Sequence, residues 1–203
     1  MKHIPPIQEW KRIFIDTSFI IDGMRDIQHI NPDNPKFESA RKAHALIAYF
    51  SLLEQKEQNH TWITSSIVLS ELLKFENSDA VSELQGLFRA PNMEIINFTR
   101  KEASFLVNDI GNYIEQKYTN QFFKEFQRSL AEQNLFNPKN FISSDARIVA
   151  CAKSKNCDAV LTSDEKSFLQ IAKQVNLPVI LTKDLPVDTF LEIDYKTSIQ
   201  TNY

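Results

Sequence analysis

Residues 144–174 read "SDARIVACAKSKNCDAVLTSDEKSFLQIAKQ". Ser143 or Ser144 is placed to cap a helix from Asp145 to about Lys155, whose interior is rich in Ala, Ile and Val. "DAVLT" (158–162) reads as a strand. "SDEKSFLQIAKQ" (163–174) opens on two capping residues and reads as a second helix. A helix, a strand and a helix in such close order form part of a crossover unit. Crossover units build parallel sheets with helices on both faces.

The same alternation extends outward. "RIFID" (12–16), "TWIT" (61–64), "MEIINF" (93–98) and "LPVIL" (177–181) read as further strands. Residues 31–39, with two prolines and two asparagines, read as a loop, and helical periodicity runs from Ser39 to about Gln58. Ser65 or Ser66 caps a helix bearing Val68, Leu69, Leu72 and Leu73. Thr99 and Glu102 form a capping-box pattern at the start of a long helical region broken near 118–120. The predicted order is β-α-β-α-β-α-α-α-β-α-β, one domain over 1–203 with helical elaborations at about 24–60 and 99–140. The tail after Asp184 has no clear place in that order.

A chain of 203 residues buries about 70% of its unfolded surface and needs no covalent staple. Its net charge is −3, which argues against a general nucleic-acid coat but leaves room for a local basic groove. Cys151 and Cys157 are expected to be free buried thiols, and the four scattered histidines make no metal-ligand spacing. The N-terminal stretch lacks the apolar run of a signal peptide, and no run approaches membrane-spanning length. The expectation is a cytoplasmic protein with no membrane partner.

In an open parallel sheet, ligands bind beyond the carboxyl ends of the strands. Four acids fall there. Asp16 ends the first strand, and Asp164 follows the strand at 158–162 after Ser163. Asp145 lies in the first turn of the helix leading into that strand, and Glu71 lies in the helix after 61–64. Each alone reads as a helix cap or a solvated residue. Together they need a counter-charge, because like charges raise each other's pKa. A hard divalent cation such as Mg²⁺ or Mn²⁺ meets that need with oxygen ligands. An Asp-initiated phosphoryl-transfer fold would place a second Asp where Ser18 stands, and a dinucleotide-binding fold would need a Gly-rich loop that three glycines do not form.

"FIDTSFII", "SSIVLSELLKF" and "SDARIVACAKSKNCDAVLTSDEKSF" resemble the three acidic motifs of the PIN domain family. Many bacterial members are VapC-type toxins of toxin–antitoxin pairs. The resemblance implies a PIN-like α/β fold of three layers, with a mostly parallel central sheet and helices on both faces. It also implies an endoribonuclease that uses Mg²⁺ or Mn²⁺. Asp16, Glu71, Asp145 and Asp164 would be its metal ligands and catalytic acids. Thr17 or Ser18, and Thr162 or Ser163, would be the assisting hydroxyls. RNA would be the substrate, with a cognate antitoxin or a second copy of the chain as protein partners. Arg147, Lys74 and Lys166 stand beside the acids, and Lys124 and Arg128 lie in the long helical region, so these are the expected phosphate contacts. A catalytically inert PIN-like module that binds RNA or protein is the alternative.

Overall fold

The structure, a computed structural model, describes residues 3–55, 59–74, 84–111 and 144–186. Five short strands carry it: β1 (Arg12–Ile15), β2 (Thr61–Ser65), β3 (Met93–Ile96), β4 (Ala159–Thr162) and β5 (Val179–Leu181). They form one sheet in the order β3-β2-β1-β4-β5. Among the described residues every pairing is parallel, in keeping with the expected sheet. Ile13 pairs with Trp62 on one side and Ala159 on the other, which makes β1 and β4 neighbours. β1 is the central strand. The connections leading toward β3 run one way from it and those leading toward β5 run the other. Right-handed crossovers then put the two sets of helices on opposite faces.

Helices among the described residues include α1 (Thr17–Met24), α2 (Pro35–Gln55), α3 (Ser66–Leu72), α4 (Arg100–Phe105), α5 (Ser144–Ser154) and α6 (Phe168–Gln174), with a further helical stretch at 84–88. A five-residue π-helical stretch, Leu106–Ile110, continues α4. α1 packs on α2, and α5 packs on α4 and α6. The Ala-rich composition of α5 explains its place: Ala146, Ile148, Val149, Ala150, Cys151 and Ala152 are all buried, and small side chains let a helix sit close against its neighbours. Both cysteines are free and buried, and burial pushes each thiol up to about 12.

An aromatic group ties α2 to the N-terminal segment and β2. Trp10 stacks on Phe50 at 6.4 Å, and Phe50 meets Trp62 edge-on at 5.3 Å. Lys42 of α2 donates from Nζ to the backbone carbonyls of Lys183 (2.6 Å) and Leu185 (3.1 Å), which fastens α2 to the turn after β5.

Three local readings are corrected. Residues 17–24 form α1, capped by Asp16, where no helix was expected. The helix expected from Ser39 begins at Pro35, within the segment read as loop. Asn34 precedes it, with Oδ1 accepting from the Lys36 N–H (2.9 Å), and proline suits the first helical position because its missing N–H would have had no partner there. The helix expected over 163–174 begins only at Phe168, because a turn built on Asp164 comes first. The Thr99 capping box is present as read. With only three glycines in the chain, two asparagines take the left-handed backbone after helices: Asn156 (φ 50°) follows α5 and Asn176 (φ 56°) follows α6. Most of the expected elaboration 99–140, including Lys124, Arg128 and the break at 118–120, lies outside the described residues.

Candidate functional site

β1 and β4 end side by side, and the chain leaves both in turns that face each other. Asp16 takes the first position after β1 and caps α1 with extended backbone. Its backbone N–H still donates to the Leu161 carbonyl (3.1 Å), so the residue is held at the strand end. Its side chain is buried. Oδ2 accepts from the Ser18 hydroxyl (2.8 Å), the Thr162 hydroxyl (2.9 Å) and, at 3.5 Å, the Ser18 N–H.

The two hydroxyls also accept. The Ser163 N–H donates to Ser18 Oγ (2.7 Å), and the Asp164 N–H donates to Thr162 Oγ1 (3.0 Å). Each hydroxyl therefore passes a hydrogen bond from the backbone after β4 to the carboxylate after β1. The arrangement locks both loops to Asp16 and orients its oxygens. Desolvation still dominates, and the nearby charge of Asp145 adds to it. Together they lift Asp16 from the ordinary 3.8 to about 6, although the Ser18, Thr162 and Thr17 hydrogen bonds pull the other way.

The other three acids enter by different contacts. Glu71 on α3 is half-buried, and its Oε2 accepts from the Thr17 hydroxyl at 2.5 Å, so the start of α1 is joined to the last turn of α3. Asp145, in the first turn of α5, accepts from the Ser167 hydroxyl at 2.5 Å. Asp164 serves its own turn. Its Oδ1 accepts from the N–H groups of Lys166 (2.9 Å) and Ser167 (3.0 Å), and its Oδ2 from that of Phe168 (3.3 Å).

Thr17, Ser18 and Thr162 thus bond carboxylates of the predicted set. The Ser163 hydroxyl instead donates to Asp22 (2.5 Å), and only its N–H joins the Asp16 network. Arg147 is half-buried on α5 two residues after Asp145, and Lys74 and Lys166 are exposed beside the site elements. Among the described residues, no three His, Cys, Asp or Glu side chains are grouped to hold a metal ion.

By donor type, carboxylate oxygen suits a hard divalent cation. Asp16, Asp145 and Glu71 offer carboxylate oxygen, and Asp16 is a buried carboxylate whose ionised form the protein penalises. Such a group gains most from a nearby cation.

The sequence reading missed Asp22 and Ser167. Asp22 is 4% exposed, one turn beyond Ser18 on α1, and accepts from Arg25 Nε at 3.2 Å as well as from Ser163. Recognising α1 would have exposed the Ser18–Asp22 spacing as one helix face.

No protein-family model matches the chain, and no curated protein matches it. Among solved structures, the chain is similar to VapBC2 from Rickettsia felis, a crystal structure bound to a DNA fragment from their promoter. That similarity has 20% identity and a TM-score of 0.49, and covers 84% of this chain and 98% of that one.

Proposed function

We propose that the chain is a divalent-metal-dependent endoribonuclease whose centre is Asp16, with Glu71, Asp145 and Asp164 around it. The observation that carries this reading is the buried Asp16, oriented by two hydroxyls at the junction of β1 and β4 and pushed up in pKa by burial and by Asp145. The resemblance of the three acidic motifs supports the choice of RNA as substrate.

A bound Mg²⁺ or Mn²⁺ would supply Lewis acidity at the phosphate and an activated water. Asp16 and Asp145 would hold it, joined by Glu71 and by the outer lone pairs of Asp164. Thr17 fixes the carboxylate of Glu71, while Ser18 and Thr162 fix that of Asp16. These contacts confine the acids to one geometry before substrate arrives, as a metal site requires. Hydrolysis by water leaves a 5′-phosphate and a 3′-hydroxyl and does not use the 2′-hydroxyl. In this reading the protein works in the cytoplasm as the toxin of a type II pair, held in check by a cognate antitoxin, with a homodimer as the further assembly.

Labelled RNA pools incubated with Mn²⁺ or with EDTA, followed by end mapping, test the proposal. We expect cleavage with Mn²⁺, none with EDTA, and 5′-phosphate ends. Asp16→Asn should lower the rate by roughly 100-fold or more, the scale of losing one electrostatic contact at a reaction centre. Wild-type cleavage that survives EDTA sinks the reading.

One observation favours the inert RNA- or protein-binding module. Both Asp164 oxygens are engaged by backbone N–H groups of their own turn. That reading predicts no heat of Mn²⁺ binding in calorimetry, together with intact binding of RNA or protein.

A further inference from the structure

A cavity of about 410 Å³ opens beside the Asp16 network, between α1, the start of α2 and β5. Ser18 and Ser163, which tie Asp16 to the loop after β4, form part of its wall. Three cations line it, Arg25, Lys36 and Lys183, and three acids, Asp22, Asp164 and Glu165.

The charges balance, but their hydrogen-bonding states do not. Asp22 accepts from Arg25 and Ser163. Asp164 accepts from three backbone N–H groups. Glu165 pairs with Lys183, with both side chains about half exposed, and an ion pair so exposed exchanges readily. The cations keep donors in reserve. Arg25 bonds Asp22 through Nε, and among the described residues its terminal nitrogens make no hydrogen bond. Lys36 forms no ion pair among the described residues. Arg25 lines the cavity and is held at Nε by a buried carboxylate, and the planar fork of a guanidinium matches a pair of phosphate oxygens.

We propose that this cavity is a backbone-phosphate subsite for single-stranded RNA. Arg25, Lys36 and Lys183 are its cations, and Asp22 is the positioning residue that aims Arg25. The proposal deepens the ribonuclease reading and rests on it for the identity of the ligand. None of these residues was among the cations the sequence brought forward. Lys74, Arg147 and Lys166 do not line the cavity. The subsite would hold a phosphate next to the one cleaved and so set the path of the strand past Asp16. It reads no base, so it adds affinity without sequence preference.

The test uses the full chain and fluorescent oligouridylate and oligoadenylate. Anisotropy is followed over a salt series in EDTA and repeated in the Asp16→Asn variant with Mg²⁺. The double variant Lys36→Gln/Lys183→Gln alters exposed side chains and should fold. It should weaken binding of both oligomers alike and reduce the slope of log K against log salt by about 0.7 for each cation removed. Arg25→Lys keeps the charge and loses the fork, so it should weaken binding several-fold. Asp22→Asn should do the same at unchanged cation count. Lys173→Gln, at the far end of α6, is the charge control and should leave the slope as it was. Binding and slope unchanged in the double variant overturn the subsite, as does a wild type that binds neither oligomer at low salt. Binding of an acidic partner protein that depends on these cations while RNA binding does not also overturns it. The two proposals fail separately: RNA bound with the expected slopes but uncut in Mn²⁺ ends the nuclease reading alone, and RNA cut with unchanged slopes ends the subsite alone.

Discussion

Asp16 carries its charge at a cost to the fold. Its carboxyl lies at about 6 instead of 3.8, so between those values the folded chain holds more protons than the unfolded chain. Stability from this group therefore falls as pH rises through that window and stays low above it. A shift of this size corresponds to roughly 3 kcal/mol. Asp16→Asn keeps an acceptor oxygen for the Ser18 and Thr162 hydroxyls and removes the charge facing Asp145. Without metal, the variant should melt several degrees above wild type at pH 7, at about 2–4 °C per kcal/mol for a chain of this size. The difference should shrink toward zero below pH 4. Melting curves from pH 3 to pH 8 in EDTA check this, and a variant that melts lower at pH 7 refutes it. Asp22 differs from Asp16 in its partners. It is as buried as Asp16, but Arg25 and Ser163 stand against it.

At the scale of elements, helix ends do the positioning. Asp16 caps α1, Ser65 caps α3 through the Val68 N–H (3.3 Å), and Asp164 organises the turn before α6. The opposite ends rely on Asn156 and Asn176 in left-handed backbone. After α6 the Leu177 N–H reaches back to the Ala172 carbonyl (3.1 Å), closing the helix and aiming the chain into β5. A Cβ-bearing residue without a local polar side chain is disfavoured there by about 1–2 kcal/mol. Asn176→Ala should therefore destabilise by about 1 kcal/mol, and Asn176→Gly should be neutral or stabilising, as urea denaturation with unchanged m-value would report. An alanine variant as stable as wild type would remove the strain argument.

At the scale of the whole molecule, the parallel sheet brings the ends of β1 and β4 together. Asp16 and Thr162 are 146 residues apart and share a hydrogen bond, because β1 and β4 are neighbours. A divalent cation that binds this edge in the folded state alone stabilises the fold by mass action, by about 2.7 kcal/mol at a hundredfold excess over Kd. Mn²⁺ should raise the melting temperature of the wild type by several degrees and leave that of Asp16→Asn almost unmoved. A wild type indifferent to Mn²⁺ and Mg²⁺ would count against the metal centre and for the binding-module reading.

The division between what was legible in the chain and what was not follows the range of the interactions. Short apolar runs, the Thr99–Glu102 capping box and the Ala-rich helix before "DAVLT" depend on neighbours a few residues away, so they could be read directly. The alternation of these elements implied the parallel sheet. α1 escaped notice because "FII" continues the apolar run of β1 and conceals the change of period that begins at Asp16. Where each acid directs its charge was beyond reach of the sequence. Asp164 turns its oxygens to its own backbone, Glu71 meets Thr17 across 54 residues, and the Ser163 hydroxyl meets Asp22 across 141. Hydrogen bonds between side chains so distant exist only after strand order has been chosen. Burial, which raises the pKa of Asp16, is likewise a property of the packed molecule and not of any segment of it.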